Sequence, residues 1–347
     1  MDPTERLLAA CRRQPVDRPP VWIMRQAGRY MASYRAVRAR ASFMELCRTP
    51  RLACDVTLMP IDQLGVDAAI LFSDILVPLE GMGLEVYFDS KGPHVSPPAR
   101  TAADVEGLRV EGAADAVGYV YDAVALIKRE LDGRVPLLGF AGAPLTLATY
   151  AVEGGTTKHK HELLRLLYDA PEALHALLGK LTDVVIDYLG RQVDAGADAV
   201  QVFDTWGGQL TLEQWRLFSQ PYTARIFEAL RAKDVPTIHY ALGGAHLLEG
   251  LAELPCDVLS VDWRQPLSYV RQRTGGRYAL QGNVDPGVLR ACPDVIHGAV
   301  RACLEDFGRN PGHILNLGHG ITPDVTVDAA RSFVEAARAI GPELGTL

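Results

Sequence analysis

The sequence is as informative in what it lacks as in what it holds. None of its apolar runs approaches the roughly 20 residues needed to cross a bilayer, which excludes a spanning helix. The first twenty residues, MDPTERLLAACRRQPVDRPP, are charged and proline-rich, without the apolar centre of a signal peptide. A cytoplasmic protein with no membrane partner is therefore expected. The six cysteines form no C-x-x-C pair, so they read as small buried apolar side chains rather than disulfides or a zinc knuckle. There is no G-x-G-x-x-G after a strand, no phosphate-binding G-x-x-x-x-G-K-[ST], and no H-E-x-x-H. Positive charge is also in deficit: 35 Lys and Arg against 42 Asp and Glu give a net −7. That field attracts neither nucleic acid nor an anionic membrane.

Short apolar, β-branched segments recur along the chain, separated by amphipathic stretches with helical spacing. They are VWIM, AAILF, PLLGF, AVQVF, PTIHY, VLSVD, YALQG and HILNL, beginning at Val21, Ala68, Pro136, Ala199, Pro236, Val258, Tyr278 and His313. Apolar on both faces, they suit parallel strands buried on both sides. Eight such units predict an α/β protein built as a (β/α)8 TIM barrel. No repeat, low-complexity tract or linker divides the chain, so residues 1–347 read as a single domain. Two insertions are expected. One is an extended first βα connection of about forty residues. The other is a β-hairpin in LEVYFDSKGPHVSPP, with Lys91-Gly92 at its turn, able to line or cover a cleft. Thr211 to Gln214 fits a capping box, and Pro221 divides the helical stretch that follows.

A barrel carries its chemistry at the C-terminal ends of its strands. That rule selects Arg25, Gln26 and Arg29 after the first segment, Ser73 and Asp74 after the second, and Thr146 and Tyr150 after the third. It also selects Asp204, Thr205 and Trp206, then His239 and Tyr240, Asp262 and Trp263, Asn283 and Asp285, and lastly His319 between two glycines. Arg25, Arg29, Arg35 and Arg38 form a basic patch in an acidic protein. Guanidinium forks bind carboxylate or phosphate bidentately. The small Ala27 and Gly28 between Arg25 and Arg29 let backbone approach a ligand closely. His239 has no cysteine beside it at a strand end, so no metal site is expected there. The residues alone point to a barrel enzyme acting on a small anionic ligand.

PPVWIMRQAGRY, LFSDIL, GAPLTLATY, VQVFDTWGG, VDW and NLGHGITPD resemble, in order and over nearly the whole chain, the uroporphyrinogen decarboxylase family of haem and tetrapyrrole biosynthesis. The resemblance implies a homodimeric barrel lyase that removes four acetate carboxyls from uroporphyrinogen III, without metal or cofactor, giving coproporphyrinogen III and carbon dioxide. It carries substrate-binding positions onto Arg25, Gln26, Ala27, Gly28, Arg29, Asp74, Tyr150, Thr205 and His319, with Arg25, Arg29, Asp74, Tyr150 and His319 as the catalytic set. The family commonly has serine where Thr205 stands. Physically, Asp74 is expected to stabilise a protonated pyrrole and the arginines to clamp the reacting acetate. Tyr150, Thr205 and His319 are expected to bind other carboxylates and orient the ring. The rivals are a zinc-dependent methyltransferase serving a corrinoid protein, which needs thiolate ligands this chain does not offer at those positions, and an inert tetrapyrrole-binding protein.

Overall fold

The computed structural model describes residues 1–344. Seven parallel strands curl into one sheet: β1 (Ala69–Ile70), β4 (Leu137–Gly142), β5 (Ala199–Asp204), β6 (Thr237–Ala241), β7 (Val258–Ser260), β8 (Ala279–Gln281) and β9 (His313–Ile314), hydrogen-bonded in that order. β2 (Glu85–Asp89) and β3 (Gly92–Ser96) form a separate antiparallel hairpin. Helices follow the sheet strands, among them Pro144–Glu153 after β4 and the long Pro171–Asp194 before β5. This is the expected α/β barrel topology, with each sheet strand starting within a segment whose apolar run predicts it.

The first segment departs from expectation. VWIM is not a strand; it contributes one bridge, Val21 to Leu315, and the barrel is closed on that side only by scattered bonds. The cause lies in its neighbours. Pro19 and Pro20 have no N–H to give a ladder. The N–H groups that follow are taken by side chains: Val21 donates to Asp67 Oδ2 (2.9 Å), Ile23 to Gln26 Oε1 (3.2 Å) and Met24 to Asn316 Oδ1 (2.9 Å). Main-chain bonds remain from Trp22 to the Leu315 carbonyl (3.3 Å) and from Asp67 to the Val21 carbonyl (2.7 Å). The segment thus spans the gap between β1 and β9.

Asp67 organises this seam. It is 1% exposed and accepts both Nη groups of Arg18, at 2.6 and 2.7 Å, as well as the Val21 N–H. Inside the barrel the seam is fastened by a polar layer. Trp22 Nε1 donates to Gln281 Oε1 (3.0 Å), and Gln281 Nε2 donates to Gln201 Oε1 (3.1 Å) and Ser260 Oγ (2.9 Å). All four are buried, so the barrel interior is filled at this level.

The extended first connection holds helices Ala32–Arg38, Phe43–Arg48 and Pro50–Leu64. The hairpin is present, one residue out of the expected register: Asp89 pairs with Gly92, which puts Ser90 and Lys91 at its tip. The Thr211 capping box forms, and the stretch around Pro221 divides into helices Leu212–Phe218 and Gln220–Leu230.

Removing a buried carboxylate strands its cation. Asp67→Ala is therefore expected to lose roughly 3 kcal/mol of stability, read by urea unfolding of the folded variant.

Candidate active site

A cleft of about 730 Å³ opens at the C-terminal ends of the strands. Its lining includes all nine predicted site positions: Arg25, Gln26, Ala27, Gly28, Arg29, Asp74, Tyr150, Thr205 and His319. The hairpin tip, with Ser90 and Lys91, forms part of the same wall. Arg38 lines it too, whereas Arg35 does not.

The arginines have different duties. Arg35 Nη1 donates to the carbonyls of Arg29 (2.8 Å) and Tyr30 (2.9 Å), fixing the loop. Arg38 donates to the Ala41 carbonyl. Arg25 and Arg29 are exposed to the cleft, and among the described residues neither donates a side-chain hydrogen bond or pairs with a carboxylate. Arg25 sits at φ +62°, an unusual conformation for a residue with a side chain and one that concentrates at functional sites. Its aliphatic stem packs against Gly320, where an added Cβ would collide with it.

Gln26 behaves differently from its neighbours. Its side chain is buried, accepting from the Ile23 N–H and donating Nε2 to the Ala68 carbonyl (3.0 Å). Its own carbonyl accepts the Tyr30 hydroxyl at 2.6 Å. Gln26 is thus a brace for the arginine loop.

Asp74 leaves β1 and turns the chain into helix Val77–Gly81. One oxygen accepts the Leu76 N–H at 2.9 Å, which fixes the carboxylate. Although the cleft reaches it, enclosure by the surrounding protein pushes its carboxyl up to about 6, against the Leu76 hydrogen bond and the Arg25 charge. Tyr150 projects from helix Pro144–Glu153, its ring 6.0 Å from that of Trp206. Burial raises its hydroxyl pKa, so it remains a donor. His319 is driven down to about 4 by burial, with the Arg25 and Arg264 charges adding to the effect and Asp262 opposing it.

Thr205 follows β5 and is held by what flanks it. The buried Asp204 accepts from Thr146 Oγ1 (3.1 Å), Trp215 Nε1 (3.1 Å) and Ser219 Oγ (2.9 Å). Thr146 Oγ1 also accepts the Trp206 N–H at 3.2 Å. Thr146 and Asp204 are therefore scaffold. So are Asn283, which donates to the Asp262 and Gln265 carbonyls, and Asp285, which accepts from the Gly287 N–H. His239 is fully buried and outside the main cleft, beside a cavity of about 20 Å³. Among the described residues neither of its ring nitrogens has a partner, and desolvation lowers its pKa to about 3. Among the described residues no group of three or more His, Cys, Asp or Glu is placed to hold a metal ion.

The sequence reading missed the phenylalanine wall of Phe72, Phe140 and Phe203, whereas Tyr240, a strand-end candidate, and Lys91, on the hairpin expected to line a cleft, do line it. The phenylalanines lie within or just after apolar runs that already read as core, so only their inward direction gives them away. The cleft's cations, Arg25, Arg29, Arg38 and Lys91, outnumber its carboxylates, Asp74 and Asp89. The site suits a bulky anion with an apolar centre.

The family model described as uroporphyrinogen decarboxylase matches residues 2–340. Relatives of that name include one from Hydrogenovibrio crunogenus, 48% identical over 98% of this chain and 98% of its own length. Another, from Thioalkalivibrio sulfidiphilus, is 50% identical over 97% of this chain and 98% of its own. Among solved structures, a methyltransferase from Methanosarcina mazei superposes with a TM-score of 0.84 over 98% of this chain and 99% of that one, at 23% identity. That likeness speaks to the fold.

The raised Asp74 pKa carries a sign. Its folded value lies above the ordinary 3.8, so the ionised form costs stability above about pH 6. The cost fades as pH falls through 6 towards 3.8. Asp74→Asn, which keeps the acceptor for Leu76, is expected to melt above the wild type at about pH 8. The gap should close by about pH 4, as measured by calorimetry across pH.

Proposed function

This chain belongs to the uroporphyrinogen decarboxylase family, and from that premise we propose that it removes the four acetate carboxyls of uroporphyrinogen III in turn, yielding coproporphyrinogen III and carbon dioxide in tetrapyrrole biosynthesis. The observation that carries the reading is the pairing, in one cleft, of two unpartnered arginines with a single fixed, enclosed carboxylate.

Each cycle begins with an acetate held on a pyrrole. A proton added to the ring carbon beside nitrogen makes the ring cationic. The acetate C–C bond then breaks, carbon dioxide leaves, and the bonding pair flows into the cation. Protonation of the resulting exocyclic methylene gives the methyl group, and loss of the proton from the ring carbon restores the pyrrole, so each cycle exchanges one carboxylate and one proton for one carbon dioxide. The pyrrole is its own electron sink, so this chemistry calls for no metal or organic cofactor. The protein supplies position and field. Asp74, fixed through Leu76, faces the developing cation and accepts from pyrrole N–H groups. Arg25 and Arg29, with no internal partner to give up, clamp the reacting acetate and a neighbouring carboxylate. Tyr150 and Thr205 donate to further carboxylates. Arg38 and Lys91 extend the positive lining outward, where the longer side chains of the substrate lie.

The same reading makes the protein a cytoplasmic homodimer, with light scattering at micromolar protein as the check on assembly. Its rivals keep the scaffold and change the chemistry. A zinc methyltransferase or an inert tetrapyrrole binder leaves the carboxyl count of the substrate unchanged.

The decisive assay is anaerobic incubation of chelator-treated protein with uroporphyrinogen III, followed by oxidation and separation of the porphyrins. A ladder from eight carboxyls to four is expected; an intact octacarboxylate with folded protein defeats the proposal. Asp74→Asn is expected to lower kcat at least a hundredfold while remaining folded. The wild-type kcat/KM should fall on the acid side of about pH 6, as Asp74 takes up its proton.

A further inference from the structure

Tyr240 lies on β6, 1% exposed, and its ring stacks on that of His319 with centroids 6.0 Å apart and planes 10° from parallel. Its hydroxyl oxygen is 3.1 Å from the Gly318 carbonyl and 2.9 Å from His319 Nδ1. A hydroxyl has one proton to place. Burial raises its pKa, so the proton is kept. The Gly318 carbonyl can only accept, and no other backbone donor reaches it among the described residues. If the Tyr240 proton pointed at Nδ1, two oxygen lone pairs would face each other at 3.1 Å and the carbonyl would go unsatisfied. Only one arrangement satisfies every atom. Tyr240 donates to Gly318, and His319 Nδ1–H donates to Tyr240.

The other ring nitrogen follows from this. Neutral imidazole carries one proton, so Nε2 is left with its lone pair. Among the described residues Nε2 has no partner, and His319 lines the cleft. The guanidinium groups of Arg25 and Arg264 act on the same ring and oppose a second proton, with the Asp262 carboxylate acting the other way. A bare lone pair repels an ionised carboxylate and attracts a hydrogen-bond donor.

We propose that Tyr240 is a positioning residue that locks His319 as the Nδ1–H tautomer, so that Nε2 accepts a hydrogen bond from an N–H of the ligand. This rests on the decarboxylase reading. It also revises the sequence-based expectation that His319 binds a carboxylate. At neutral pH the carboxyls of a tetrapyrrole are ionised, and its pyrrole N–H groups are the donors it offers. His319 and Asp74 are then both acceptors facing the macrocycle's nitrogen side, while the arginines take its rim.

Histidine 15N labelling with long-range 1H–15N correlation reads the tautomer directly in the free enzyme, whatever the substrate. His319 in the wild type should show a protonated Nδ1 and a bare Nε2, and Tyr240→Phe should abolish that preference. An Nε2–H tautomer in the wild type overturns the proposal, as does an unchanged tautomer in Tyr240→Phe. Tyr240→Phe should also lower kcat/KM about tenfold, the loss of one well-placed hydrogen bond. A second pair tests the ligand group. His319→Gln keeps an acceptor and should outperform His319→Lys; the reverse order means that His319 binds carboxylate and defeats the N–H assignment. Should the wild type turn over no uroporphyrinogen at all, the decarboxylase reading fails while the tautomer is still read from the spectrum.

Discussion

A barrel must close, and here the segment that closes it is the one that carries the arginines. Residues 20–24 fill the gap between the first and last sheet strands with almost no ladder of their own, and Asp67 is what holds them there. Its carboxylate grips the Val21 N–H and the Arg18 fork together, while Asn316 takes the Met24 N–H from the other side. The next residue is Arg25. Its backbone conformation is one a side-chain-bearing residue rarely adopts, so it needs a frame fixed on both flanks. Gln26 and Arg35 finish that frame by occupying the carbonyls and N–H groups of the loop. The seam and the site are one piece of construction.

That construction explains how an acidic protein keeps free guanidinium groups. Most surface arginines here are paired: Arg48 with Glu80, Arg134 with Asp62 and Arg216 with Glu253 are examples. Around Arg25 and Arg29 the acidic partners are missing, and the neighbours that could have competed are occupied elsewhere. Asp74 gives one oxygen to Leu76, and Asp89 is engaged with His94 and the Lys91 N–H. Charge left without an internal partner costs little while water reaches it, and is available to an anion that displaces that water.

Much of this was legible in the sequence, for identifiable reasons. Runs such as PLLGF and AVQVF are apolar on both faces, and that signal survives without any structure. The barrel rule then converts strand ends into a site, which is how Asp74, Thr205 and His319 reach one cleft from distant parts of the chain. What stayed hidden depends on direction. VWIM has the composition of a strand, but its bonds go to side chains from residues 26, 67 and 316, which no local pattern reveals. Gln26 reads as a ligand contact from its place in a motif, and the bracing bonds of its side chain are not visible in that motif. Thr146 and Asp285, polar residues after strands, turn back into the scaffold. Tyr240 is legible as a strand-end residue but not in its role, which lies in where a single hydroxyl proton goes.

Gly320 makes room for the stem of Arg25 across nearly the full length of the chain. The two positions are therefore not free to drift apart over generations. A lineage that gained even a methyl group at 320 would have to move or surrender the guanidinium at 25, and one that shortened residue 25 would open a hollow beside residue 320. Descent should treat the two as a single heritable character, written in two places.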